Sequence, residues 1–166
     1  MFSINAPVPG RVSRLASEMH PELVDFDHLR ERHSILVKRL GTPEYAGHVQ
    51  HEARRALANA PAVEVEVTGI DYFTDPPSGS SPVVYLSVES PGLRRLHRRL
   101  VEQFGAVENL EGDDYTPHVT LARDGDEEAA RRLAERDVER VSWTVSKLQF
   151  WDATYDESVS TVSLPA

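Results

Sequence analysis

The chain has 166 residues, 40% of them apolar and 7% aromatic, with 18 basic against 27 acidic side chains, a formal net charge of −9 and no cysteine. A chain of this length buries enough surface to fold without staples, and the missing cysteines exclude a disulfide framework, a thiolate zinc site, an iron–sulfur cluster and a cysteine nucleophile. The acidic field repels polyanions, so an indiscriminate clamp on nucleic-acid phosphates is excluded, whereas a small anion held by a few local arginines is compatible.

Phe2 to Val8 reads as a strand ended by Pro7 and Pro9, and Arg11 to Met19 carries Val12, Leu15 and Met19 at helical spacing. His33 to Leu40 reads as a second strand that stops at Gly41. A helix is predicted next, with Thr42 as N-cap, Pro43 at its first position and Glu44 in its first turn, running to about Ala60 before Pro61. Ala62 to Phe73 alternates valines with glutamates and Pro82 to Glu89 is again strand-like, so the two predict a hairpin around the turn-rich stretch 75–81. Ser90-Pro91 opens a helix with a stripe of Leu93, Leu96, Leu100 and Phe104. Arg94, Arg95, Arg98 and Arg99 fall outside that stripe, as on a solvated face. Tyr115 to Arg123 reads as a strand, Asp126 to Arg136 as a helix with acids first and arginines last, and Val141 to Trp151 and Ser158 to Leu164 as two closing strands. A strand led by a histidine, then a helix, then a pair of strands thus occurs twice, from His33 and from His118.

The second of these strands, Pro117-His118-Val119-Thr120-Leu121-Ala122-Arg123, resembles the H-x-T-x signature of the two-histidine phosphoesterase superfamily, which includes the 2′-5′ RNA ligases and RNA 2′,3′-cyclic phosphodiesterases. The order of elements around it resembles that family over nearly the whole chain. The resemblance implies an α+β fold over residues 1–166, a single unit of two pseudo-symmetric lobes. Each lobe is then an antiparallel sheet with helices on the outside, and the two motifs face one another across a central cleft. It implies a metal-independent phosphodiesterase with no cofactor, acting as a monomer on RNA ends or nucleotide-like small molecules that carry a cyclic phosphate, and running in reverse as a 2′-5′ ligase. Strand geometry supports part of this, because residues i and i+2 share a face and aim His118 and Thr120 at one point. His33 and His118 are then the acid–base pair, with Thr120 donating to a phosphate oxygen.

The first motif departs from the pattern. Two residues after His33 stands Ile35, the nearest hydroxyl is Ser34, and one residue more than the expected H-x-T-L-x-F-L-G lies between His33 and Gly41. Either a bulge rotates Ser34 inward, or this half lacks its hydroxyl. Regular alternation from His33 turns Ile35, Val37 and Arg39 inward and Lys38 away. Arg39 then holds the phosphate through a bidentate fork, or makes a rim salt bridge. Arg123 is a further candidate by resemblance, although its parity is wrong unless the strand twists at its end. Tyr115, Tyr85, Phe150 and Trp151 are either stacking platforms for a base or core residues.

His48 and His51 stand at i, i+3 on one helix, but without the order of a metalloprotease motif, so no metal site is expected. His20, His28 and His97 read as surface or boundary residues, and no P-loop, dinucleotide or G-x-S-x-G motif occurs. Only Lys38 and Lys147 are lysines, and an acidic, lysine-poor surface resembles proteins of salt-loving cells. No run approaches the roughly 18 apolar residues of a membrane span. The first residues lack the charge and apolar stretch of a secretory signal, so the expected location is cytoplasmic, without membrane attachment. A cleft weakened by Ile35 leaves a second function open, a module that binds an RNA end or phosphometabolite without turnover.

Overall fold

The computed structural model describes residues 1–77 and 79–166; Ser78, in the turn-rich stretch, lies outside the described residues. The strands are β1 (Phe2–Pro7), β2 (His28–Leu29), β3 (Ser34–Gly41), β4 (Val63–Phe73), β5 (Val83–Glu89), β6 (His118–Arg123), β7 (Ser142–Val145), β8 (Lys147–Asp152) and β9 (Glu157–Ser163). The helices are α1 (Gly10–Glu18), α2 (Ala46–Ala56), α3 (Pro91–Phe104) and α4 (Glu127–Ala134). Two antiparallel sheets result, one ordered β3-β1-β8-β9 and the other β2-β6-β5-β4-β7. This is the expected α+β architecture of two lobes, with β3 and β6 adjacent where the lobes meet.

The doubling is built by exchange. The hairpin that follows β3, β4-β5, pairs with β6, while the hairpin that follows β6, β8-β9, joins β3 through β1. The stretch expected as one strand from Val141 to Trp151 is therefore two: β7 pairs with β4 and β8 with β1, and the chain changes sheets at Ser146.

Helix α3 packs against both β3 and β4. Its Leu93, Leu96 and Leu100 are fully buried, each contributing about 1.5–3 kcal/mol by leaving water. Ser90 caps it as expected, accepting from the Leu93 amide at 3.1 Å and donating to the Glu64 carbonyl at 2.6 Å. Asp126 likewise caps α4 through the Glu128 amide. Helix α2 departs from expectation. Thr42 caps nothing: Gly41 takes a left-handed φ of 71°, Tyr45 is extended, and the helix begins at Ala46. It ends at Ala56, ahead of Pro61, with Asn59 left-handed at φ 63°.

Candidate functional site

The register of β6 places the second motif. Ser87 opposes His118 and Tyr85 opposes Thr120, so these two side chains share a face, while Val119 and Leu121 are buried in the core. The next pair is Val84 with Ala122, which leaves Leu121 as an extra residue, and then Val83 opposes Arg123. The bulge at Leu121 restores the parity of Arg123, which therefore lies on the His118 face.

The same construction occurs in β3. Asn5 opposes Leu36 and Ser3 opposes Arg39, but Ile4 opposes Lys38, so Val37 is the extra residue. Ile35 and Val37 are in the core, which corrects the expectation that they turn inward to the cleft. Ser34 lies on the face of Leu36 and Asn5, and its hydroxyl accepts from Asn5 Nδ2 at 3.4 Å. Lys38 faces away, as expected, and is buried, while the bulge puts Arg39 on the cleft side. Superposed bulge on bulge, Ser34-Ile35-Leu36-Val37-Lys38-Arg39-Leu40-Gly41 matches His118-Val119-Thr120-Leu121-Ala122-Arg123-Asp124-Gly125. Ser34 is thus the counterpart of His118, Leu36 of Thr120, and Arg39 of Arg123. His33 precedes the strand by one residue.

Between the sheets lies a cavity of ≈510 Å³, lined by Leu36 and Arg39 from one lobe and by Phe73, Val83, His118 and Arg123 from the other. Its remaining wall comes from two loops, with Asp75, Pro76 and Pro77 on one and Asn109, Leu110, Asp114, Tyr115 and Thr116 on the other. His33 is not among the lining residues, and its Nε2 is buried with no partner among the described residues. Burial, and secondarily neighbouring His20, hold its pKa below 6.5. His33 thus sits one residue before β3 and outside the lining of the cavity that His118 lines, while the bulge register puts Ser34 on the face of Leu36.

His118 Nδ1 lies 2.7 Å from the Thr116 carbonyl, which can only accept. In the neutral ring Nδ1 therefore carries the proton and Nε2 keeps its lone pair. Burial lowers the His118 pKa most, and the positive fields of Arg39, Arg123 and Arg30 lower it further against that carbonyl bond. At neutral pH the His118 ring is thus favoured in its uncharged form, with Arg39 and Arg123 lining the same cavity. Tyr85, buried, forms a cluster of three rings with Phe73 (4.4 Å, stacked) and His118 (5.0 Å), which also meet edge to face at 5.5 Å. Burial and Asp71 push its hydroxyl pKa up to about 12, so it stays protonated. Tyr115 stacks on His97 at 3.9 Å and donates to the Leu36 carbonyl at 2.8 Å, so one ring face is already covered. Phe150 is a core residue, and Trp151 carries the Arg32 guanidinium 5.9 Å from its ring centroid.

A family model described as the 2′-5′ RNA ligase superfamily matches residues 25–157. The chain belongs to that superfamily. Among solved structures, TT0787 of Thermus thermophilus shares 17% identity at a TM-score of 0.70, covering 98% of this chain and 97% of that one. LigT of E. coli, solved with 3′-AMP, shares 14% at 0.66, covering 98% and 96%. Usb1 of Kluyveromyces marxianus, solved with uridine monophosphate, shares 12% at 0.53, covering 99% and 97%. These likenesses carry the fold. No curated protein sequence matches the chain at a significant level.

Within the superfamily fold, the sequence analysis named Tyr115 but missed Phe73, Asp75, Pro76, Pro77, Asn109, Leu110 and Asp114, which line the cavity from segments far apart in the chain. It also misplaced His97, which is 0% exposed. The signal was present, since His97 lies four residues after Leu93 and therefore on the apolar stripe. His48 and His51 are exposed, with His48 Nε2 3.5 Å from Glu52. Among the described residues no group of three or more histidine or acidic side chains could hold a metal ion.

Proposed function

We propose that the cleft binds a 2′,3′-cyclic phosphate, on an RNA end or a small nucleotide, and hydrolyses it with His118 as its one imidazole and without a metal. The observation that supports this reading is the position of His118, with the Nε2 lone pair available, in the same cavity as Arg39 and Arg123. His118 Nε2 takes the proton of a water that attacks phosphorus. The bond from phosphorus to one ribose oxygen breaks, and that oxygen takes a proton from the imidazolium or from solvent. Arg39 and Arg123 hold the non-bridging oxygens, where negative charge gathers, and Thr120 offers a hydroxyl on the same face. Attack by a 5′-hydroxyl in place of water, with the 3′-oxygen leaving and taking the proton, gives a 2′-5′ linkage.

The test is incubation of the protein, with EDTA present, with 2′,3′-cyclic mononucleotides and cyclic-phosphate-ended RNA, followed by product separation. Turnover is expected in EDTA, with His118→Ala slowing it at least ~10²-fold and His33→Ala leaving it nearly unchanged. Dependence on added metal, or equal loss in both variants, contradicts the reading. A second reading, binding without turnover, is favoured by Ser34 and Leu36 standing where His118 and Thr120 have their counterparts. It takes over if cyclic nucleotides bind in an Arg39-dependent way and are recovered intact.

A further inference from the structure

Lys38 is one of only two lysines in the chain, yet it is 2% exposed. Its Nζ donates to Glu111 Oε1 at 2.6 Å and to the Arg39 carbonyl at 2.7 Å. Glu111 is buried, and its other bonds come from the Val107 amide at 2.9 Å and the Arg39 amide at 2.8 Å. The oxygen that accepts the Arg39 amide stands 4.0 Å from Arg39 Nη1, beyond hydrogen-bond range. Arg39 is thus gripped by its backbone at a buried carboxylate while its guanidinium passes that carboxylate and lines the cavity. An uncompensated carboxylate at such depth draws in any guanidinium within reach. Here the compensating charge arrives from the core side. Buried ion pairs are weak evidence for stability in themselves, so the informative fact is what this one adjoins.

We propose that Lys38 is a positioning residue: by neutralising Glu111 it leaves the Arg39 guanidinium available to an anion in the cleft. The inference rests on the reading of Arg39 as a phosphate-holding group. The bulge at Val37 gives it its geometry, because it sends Lys38 to the core and the next side chain, Arg39, to the cleft, on either side of one carboxylate.

The test uses the full chain in two arms. In ligand-free crystals of Lys38→Met, the Arg39 guanidinium is expected to close onto Glu111, from 4.0 Å to about 3 Å, and in Lys38→Met/Glu111→Gln to be released. In calorimetry with inorganic phosphate, Lys38→Met is expected to bind at least ~tenfold more weakly than wild type, near Arg39→Ala. The double variant is expected to return to within about threefold of wild type, a non-additive rescue. A double variant as weak as Lys38→Met overturns the proposal, since simple structural damage accumulates. An unmoved Arg39 in Lys38→Met also overturns it, whatever the phosphate data. If Lys38→Met does not fold, Lys38→Gln, which keeps an uncharged donor, takes its place with the same expectations. Unchanged phosphate binding in Arg39→Ala defeats the phosphate-holding reading of Arg39, while the crystallographic arm still decides whether Lys38 sets its position.

Discussion

Arg123 reaches the cleft through a space that only glycine leaves open. A Cβ placed on Gly79 would overlap Arg123 Nη1, and Gly79 itself has a φ of 83°. Gly79→Ala is therefore expected to strain the loop by about 1 kcal/mol and to push the guanidinium aside. Its affinity for phosphate should fall by roughly tenfold, the worth of a charge-assisted hydrogen bond, as read by calorimetry. Wild-type affinity in that variant would mean that Arg123 does not hold the anion. At this scale the sequence was informative where chemistry is local to a motif. That His118 and Thr120 share a face was legible because alternation in a short strand needs only i and i+2. The place of His33 was not, because it depends on the extra residue at Val37, which puts Ser34 on the face of Leu36 and leaves His33 one residue before the strand.

The main elements were legible because period-two and helical patterns are strong in β4, α3 and α4, and the extra residue before Gly41 left a bulge in β3 open, but its position at Val37 and the bulge in β6 were hidden. Ile35 and Val37 are apolar, and their apolarity marks them as core only once the extra residue at Val37 is known. The bulge is held from α3 and the neighbouring loop. His97 Nδ1 donates to the Val37 carbonyl at 2.7 Å and its Nε2 accepts from the Gly112 amide at 2.9 Å, which fixes the ring as neutral. Tyr115 donates to the Leu36 carbonyl at 2.8 Å. Tyr115→Phe strands that carbonyl and is expected to cost about 1–3 kcal/mol, measured as a shift in the denaturant midpoint with unchanged slope. A variant as stable as wild type would show that the bulge does not depend on this bond.

Across the whole molecule the acidic charge and the histidines set the response to pH. His33, His97 and His118 all have pKa values lowered by burial in the folded chain. The unfolded chain takes up protons at about 6.5 that the folded chain resists, so stability is complete above that value and falls as pH drops below it. Glu111 adds a later loss below its ordinary 4.5, because its pKa is also lowered, by bonds from Arg39, Lys38 and Val107 that outweigh its burial. A melting series is expected to be flat from pH 8 to about 7 and to decline through pH 6 and 5; a rising melting temperature over that decline would contradict the assignment. The exchange of hairpins between lobes was beyond the sequence, because the doubling names each half without saying which sheet receives its hairpin. With that exchange β3 and β6 lie side by side, each with a bulge, so that His118 and Thr120 on β6 have Ser34 and Leu36 as their counterparts on β3. The most direct measurement of this account is the rate of 2′,3′-cyclic mononucleotide hydrolysis by Ser34→His/Leu36→Thr beside wild type. Restoring the missing half is expected to raise the rate at least ~tenfold, well inside the range of a positioned acid or base, whereas no gain, with loss of turnover in His33→Ala, would contradict it.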